Sequence, residues 1–416
     1  MRFSTRQEQV SVRVTMVVAT VAALVLTPIS QAGARPSFTP SQATAATAPC
    51  GIVELPAPEG WQGGVVDIND EGVLVGSVLD PDGVLHATYW TPDGPSSSGG
   101  FARHTPDLPA AGELLDVNNA GVAVGFDEDA VQGFVLNTTT GEFRYLPDMA
   151  GGYSDRPRRI NDEGVIAGAA SDPDGTWVAT TWAPPYGSPH QVGVPWEQQM
   201  MSWTDPETAE VYTWVAGSEA DGINNAGTVA IFAADGDPHL MRAHGHSKFS
   251  DDPGSDQPVD VSSVPAVPMT KTASGRLTVL HTGGDQAYTF ALNDNGTVIG
   301  DDVTNTDTYD TRPVYWIGST ERDLGQPADA QGGRALNIDG NWVTGFLYYG
   351  DGSDRAYVWT GGGMLRVMTN LKGYPGGTMA HGVDQALRQV GGLAFAADGS
   401  HVPVMWQCPS GFSTEP

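Results

Sequence analysis

The chain has 416 residues, among them 53 Gly and 30 Pro, with only 17% charged residues and a formal net charge of −29. A chain this acidic lacks the Lys and Arg that neutralise phosphates, which excludes nucleic acid and disfavours anionic membranes as partners. So much Gly and Pro calls for many turns, and the length suffices for a large core within one all-β domain.

The first residues specify a destination. Arg2, Arg6 and Arg13 give a basic start, Val14 to Ile29 form an uncharged apolar run, and Ala32-Gly33-Ala34 follows. That order suits a secretory leader cleaved before Arg35. The run is about 16 residues, short of the roughly 20 that a membrane-spanning helix needs. Residues 1–34 are therefore expected to be a signal peptide and 35–49 a flexible mature N-terminus. The mature protein is expected to be extracellular, monomeric and without a membrane partner.

One motif then recurs along the chain: an apolar residue, Asn, a polar pair, Gly, and an apolar alternation. Its copies are Ile68-Asn69-Asp70-Glu71-Gly72, Val117-Asn118-Asn119-Ala120-Gly121, Ile160-Asn161-Asp162-Glu163-Gly164 and Ile223-Asn224-Asn225-Ala226-Gly227. Leu292-Asn293-Asp294-Asn295-Gly296 and Leu336-Asn337-Ile338-Asp339-Gly340 follow, and Val383-Asp384-Gln385-Ala386-Leu387 is a degenerate seventh. Asn and Asp bond to nearby backbone in turns, and Gly accepts a left-handed conformation without steric cost. The motif predicts a hairpin of three loop residues with a bulge. A second strand follows, as in Val73 to Val78, then a turn such as Asp80-Pro81-Asp82-Gly83. A third strand ends in Trp90, Trp316, Trp359 or Trp406, and a fourth carries Leu, as in Tyr145-Leu146-Pro147 and Asp323-Leu324-Gly325. Units two and four depart from this, with Leu136 and Ala243 expected where Trp stands elsewhere.

Four short strands per about 45 residues is the period of a propeller blade. The expectation is an all-β propeller of seven four-stranded blades over residues 50–408, with 409–416 as a C-terminal tail. The last unit stops after its third strand at Val404-Met405-Trp406, and Gly51 to Pro56 matches a fourth strand. The N-terminal segment is thus expected to complete the last blade and close the ring. Cys50 and Cys408, the only cysteines, flank these two segments. An isolated pair in an exported chain reads as a disulfide.

The unit resembles the repeat of the extracellular HAF-repeat family. His86-Ala87-Thr88-Tyr89-Trp90 is close to its H-A-F-x-W element with Thr for Phe, and Arg355-Ala356-Tyr357-Val358-Trp359 is close with Arg for His. The resemblance spans about Gly51 to Cys408. It implies architecture and supplies no catalytic residues.

Candidate chemistry is sparse. Ser171-Asp172-Pro173-Asp174-Gly175-Thr176-Trp177 is one residue short of a sialidase-type Asp box, itself a structural turn. Asp80 with Asp82, and Asp172 with Asp174, offer oxygens to calcium but lack the ligand ladder of a dedicated loop. His239, His244 and His246 cluster without a fourth ligand, so no metal centre and no cofactor are expected. No nucleophile elbow, zinc motif or phosphate loop occurs, so no catalytic residue is named. Two insertions, 183–208 and 245–275, appear to the period as excess after the third strands of units three and four. The first carries Tyr186, Trp196 and Trp203, whose flat faces suit a carbohydrate or peptide. The expected function is a non-catalytic extracellular binding module of unspecified ligand. A propeller-type polysaccharide hydrolase or lyase is the alternative.

Overall fold

The computed structural model describes residues 49–94, 100–108, 111–173, 175–194, 200–204, 211–215, 217–234, 266–284, 286–305, 310–363 and 365–412. The leader and the mature N-terminus before Pro49 therefore lie outside the described residues. Among the described residues the regular structure is β throughout, arranged as successive meanders.

The first meander is Gln62–Ile68, Leu74–Leu79, Leu85–Pro92 and Phe101–His104. The second is Gly112–Val117, Val122–Asp127, Gln132–Asn137 and Phe143–Tyr145. The third is Asp155–Ile160, Ile166–Ser171, Trp177–Trp182 and His190–Gln191. The fourth is Ser218–Ile223, Val229–Ala234, Ala266–Lys271 and Leu277–Val279. The fifth is Gln286–Leu292, Val298–Asn305, Asp310–Ile317 and Thr320–Asp323. The sixth, Ala330–Asp339, Trp342–Tyr349, Asp354–Trp359 and Arg366–Val367, shares an eight-stranded sheet with the last through one residue pair, Asp354 with Gly377. The last is Gly377–Asp384, Gln389–Phe395 and His401–Gln407, and its fourth strand is Gly51–Glu54. The segment from the chain's beginning pairs Gly51 with Gln407 and Glu54 with Val404. Cys50 and Cys408 are joined by a disulfide beside that pairing.

The Asn turns fold as their chemistry dictates. Asn69 Oδ1 accepts the N–H groups of Glu71 at 3.2 Å and Val73 at 2.9 Å, so the side chain replaces missing ladder bonds. Gly72 then takes φ 76°, which only Gly enters freely. The sixth turn is tighter, with Asp339 paired to Trp342 around Gly340 and Asn341, and in the seventh Arg388 stands at φ 57°.

Each first strand carries a register shift two residues before its turn, as between Val65 and Asp67 and between Leu114 and Asp116. Such a bulge pushes a carbonyl towards the second strand. That is why a Gly faces it: a Cβ on Gly300 would lie 1.8 Å from the Tyr288 carbonyl oxygen, and one on Gly76 would lie 2.1 Å from that of Gly64.

Adjacent meanders share their cores. Val75 and Ala87 pack with Leu114, Ala123 and Phe134 across the first pair. Val124 and Leu146 pack with Ile160, Ile166 and Trp182 across the second. Leu55, Val65, Leu74 and Trp90 pack with Met405, joining the first meander to the last. A recurring bond adds to this packing. The indole N–H of Trp90 donates to the Pro56 carbonyl at 2.8 Å, Trp182 to Pro147 at 3.1 Å, Trp316 to His281 at 2.7 Å and Trp406 to Thr369 at 2.8 Å. Each acceptor directly follows a buried Leu or Met of the preceding meander (Leu55, Leu146, Leu280, Met368). The Leu and the Trp of the repeat are therefore two halves of one joint.

The fourth meander corrects the sequence expectation. Val229 pairs with Lys271, the place that Trp90, Trp182 and Trp316 take opposite Leu74, Ile166 and Val298. Lys271, and not Ala243, is thus the substitute for Trp. Its Nζ donates to the carbonyls of Val192 and, at 3.0 Å, Gly193, the same joint made by a different donor. The excess of this unit falls between its second and third strands, from Ala234 to Ala266, and not after the third. In the third unit the excess follows the fourth strand, where Met200–Thr204 and Val211–Val215 form a hairpin. His239 resembles His86 in its spacing from the turn, and with no Trp to mark the true strand the period was displaced.

Candidate axial site

The turns meet around an opening of about 300 Å³ lined by residues of every meander, among them Asn69, Asn118, Asn161, Asn224, Asn293, Asn337 and Val383. Two tiers of hydrogen bonds make this wall. In the buried tier the amide of each turn Asn donates to the next turn: Asn69 Nδ2 to the Asn118 carbonyl at 2.9 Å, Asn118 to Asn161 at 3.0 Å, Asn161 to Asn224 at 3.0 Å, Asn224 to Asn293 at 3.1 Å and Asn293 to Gly340 at 2.5 Å. Each Asn therefore builds its own turn with its oxygen and fastens the neighbouring turn with its nitrogen. No other side chain of this size offers both at one position.

In the outer tier the next residue alternates between Asp and Asn. Asn119 Nδ2 donates to Asp70 at 2.9 Å and to Asp162 at 3.3 Å. Asn225 Nδ2 donates to Asp162 at 2.9 Å and to Asp294 at 3.0 Å. Neutral amides thus separate carboxylates that would otherwise repel.

Deeper in the opening stand Asp67, Asp116 and Arg159. Asp67 accepts from Asn337 Nδ2 at 2.6 Å and from the Val117 N–H at 3.3 Å, and Asp116 accepts the Ile160 N–H at 2.5 Å. Arg159 lies 3.8 Å from Asp116 and donates to the Leu336 carbonyl at 3.1 Å, from the far side of the opening. Burial, then the Asp116 carboxylate, raises Asp67 well above the ordinary carboxylate range. Behind this group Arg158 bonds Glu219 at 2.5 Å and lies 3.8 Å from Asp221. Burial and the adjacent Glu219 raise Asp221 well above its usual range. His381 is lowered to about 4 by burial and by Arg159, and stays neutral.

The residues singled out in the sequence lie elsewhere. Tyr186 is half-buried against the core of Leu146, Ile160 and Trp182, and its carbonyl accepts from Arg144 at 2.8 Å. Trp203 pairs with Tyr212 in the hairpin, and Trp196 lies outside the described residues, as do His239, His244 and His246. Asp80 is occupied by its own turn, accepting the N–H groups of Asp82 and Val84 at 2.9 Å and facing His86 at 3.0 Å. Asp172 accepts the Thr176 N–H at 2.9 Å in the same way, and Asp174 lies outside the described residues. The axial charges went unnoticed in the sequence, although a signal existed. The position two before each turn Asn reads Asp67, Asp116, Arg159, Gly222, Ala291, Ala335 and, two before Asp384, Gly382, so polar residues interrupt an apolar column.

No protein-family model matches the chain, and no curated protein matches it in sequence. Among solved structures it is similar to Pyrococcus horikoshii acylaminoacyl peptidase, uncomplexed, at 11% identity and TM-score 0.50, over 83% of this chain and 51% of that one. The chain thus spans about half the length of that peptidase. YCF48 bound to D1 peptide matches at 9% identity and TM-score 0.46, over 88% of this chain and 99% of that one. A putative TolB from Agrobacterium tumefaciens matches at 12% identity and TM-score 0.42, over 74% and 94%. The fold is a β-propeller-like repeat of four-stranded antiparallel sheets.

Proposed function

We propose that this chain is a secreted, non-catalytic propeller of seven blades, of the HAF-repeat kind, which binds a cationic extracellular ligand at its axial opening. Ring closure is supported by contacts at the seam. The Asn341 N–H donates to Gln385 at 2.6 Å, and a Cβ on Gly382 would lie 2.6 Å from the Asp67 backbone. Export is supported by the basic and apolar start of the sequence and by the disulfide. No helix among the described residues is long and apolar enough to cross a membrane.

The observation that carries the binding reading is the opening itself, a polar cavity rimmed by Asp70, Asp162, Asp294 and Asp339 with Arg159 as a lining base. Such a rim attracts cations and repels acidic polymers. Its outer side chains are already aligned by the two hydrogen-bonded tiers, so a ligand would find them preorganised. The test is fluorescence anisotropy with an Arg- and Lys-rich peptide, a neutral oligosaccharide and polyglutamate. Binding of the basic peptide alone is expected, weakened at least about tenfold when exposed Asp162 and Asp294 become Lys. Equal binding by the double variant, or none by the wild type, would sink the reading.

The polysaccharide hydrolase or lyase reading has one observation in its favour, the buried Asp67 with its raised pKa beside Asp116 and Arg159. Both carboxylates are engaged by N–H groups of the neighbouring sheet, which supports a structural role. Reducing-end release that disappears in a folded Asp67→Asn variant would establish catalysis instead.

A further inference from the structure

The alternation of Asp and Asn in the outer tier runs through the first five turns and ends at Asp294. Beyond it, at the last turns, Asp339 and Asp384 approach Asp70 with ligand oxygens all within 4.8 Å of one another. The seventh turn also departs in the buried tier. Asp384 stands where the first five turns carry Asn, and its Oδ1 accepts the Leu387 N–H at 2.7 Å as a turn Asn would. Its Oδ2 takes the place of the amide nitrogen. That oxygen is buried and has no hydrogen-bond partner, in a residue only 1% exposed. A buried acceptor without a donor, in a cluster with two further carboxylates, is stabilised by positive charge.

The geometry points to a divalent-cation site, of the calcium class, formed by Asp70, Asp339 and Asp384 at the seam between the last turns and the first. Oxygens bound to one calcium ion at about 2.3–2.6 Å are at most about 5.2 Å apart, so the cluster fits with little movement. The three residues step from exposed through half-buried to buried, which leaves an entry path and room for water ligands. A hard cation in an all-oxygen site with a flexible exposed carboxylate favours calcium over magnesium. The ion would do at the seam what Asn119 and Asn225 do elsewhere, holding carboxylates of adjacent turns together.

The experiment is thermal unfolding of the EDTA-stripped protein at pH 7.5 with 10 mM CaCl2 or MgCl2 as added probes, and calcium titration calorimetry. An extracellular-grade affinity of about 10⁻⁴–10⁻³ M predicts one bound calcium and a rise in Tm of about 2–4 °C. Asp384→Asn restores the residue of the first five turns and is expected to fold, to be more stable than wild type in EDTA, and to lose the calcium shift. Asp70→Asn, at an exposed position, is expected to weaken calcium at least about tenfold without altering the melting temperature in EDTA. A wild type indifferent to calcium overturns the site, as does an undiminished shift in Asp70→Asn or any shift in Asp384→Asn. Failure of basic-peptide binding would leave this outcome untouched, since the peptide test varies Asp162 and Asp294 whereas the calcium test varies Asp70 and Asp384.

Discussion

Asp155 shows how a single buried acid makes stability depend on pH. It is fully buried, accepts the Gly133 N–H through Oδ1, and leaves Oδ2 without a partner. Burial raises it to about 7. The folded state then keeps a proton that the unfolded chain releases near pH 4, so its contribution is complete below that and is lost as pH rises through 7. Thermal melts are expected to show stability falling by on the order of 4 kcal/mol across this window, and Asp155→Asn should flatten the slope. An unchanged slope would assign the pH dependence to other groups. Gly300 makes a steric case of the same kind. Gly300→Ala is expected to cost about 2–4 kcal/mol by chemical denaturation, because the Tyr288 carbonyl occupies the space, whereas Gly187→Ala, with nothing within 4 Å, should stay within about 0.5 kcal/mol.

Among elements, the joint between the Trp of a third strand and the loop of the preceding meander sets the spacing of the sheets. Trp90→Phe keeps most of the buried area and loses the bond to Pro56, at a cost of about 1 kcal/mol, whereas Trp90→Ala should cost about 3–5 kcal/mol in urea melts. A Trp90→Phe variant as stable as the wild type would show that the bond contributes nothing beyond area. The turns, the Trp ends and the terminal strand exchange were legible in the sequence because each depends on local chemistry: Asn with Gly, an aromatic at a strand end, a Leu-Pro pair. The fourth unit was not legible, because Lys271 performs the Trp bond with an ammonium and no aromatic marks the strand. The axial charges escaped for another reason. Asp67, Asp116 and Arg159 converge only when separate first strands are set around one opening, and nothing within a single repeat encodes that approach.

At the scale of the molecule, the first and last segments hold each other. Gly51–Glu54 fills the edge of His401–Gln407, and the Cys50–Cys408 bond spans 358 residues of sequence. The chain-entropy model bounds the contribution of so long a loop at roughly 5 kcal/mol, so reduction should lower the melting temperature by several degrees in calorimetry. An unchanged melt under reductant would mean that strand pairing alone keeps the ends together. The same arrangement imposes an order on assembly. The strand translated first has its partner translated last, so the final sheet cannot be completed until the whole array has been delivered. Oxidation of the two cysteines then serves as a timestamp of finished assembly, and a chain interrupted anywhere before Cys408 is left with an unpaired thiol and an open strand edge that quality-control machinery can recognise.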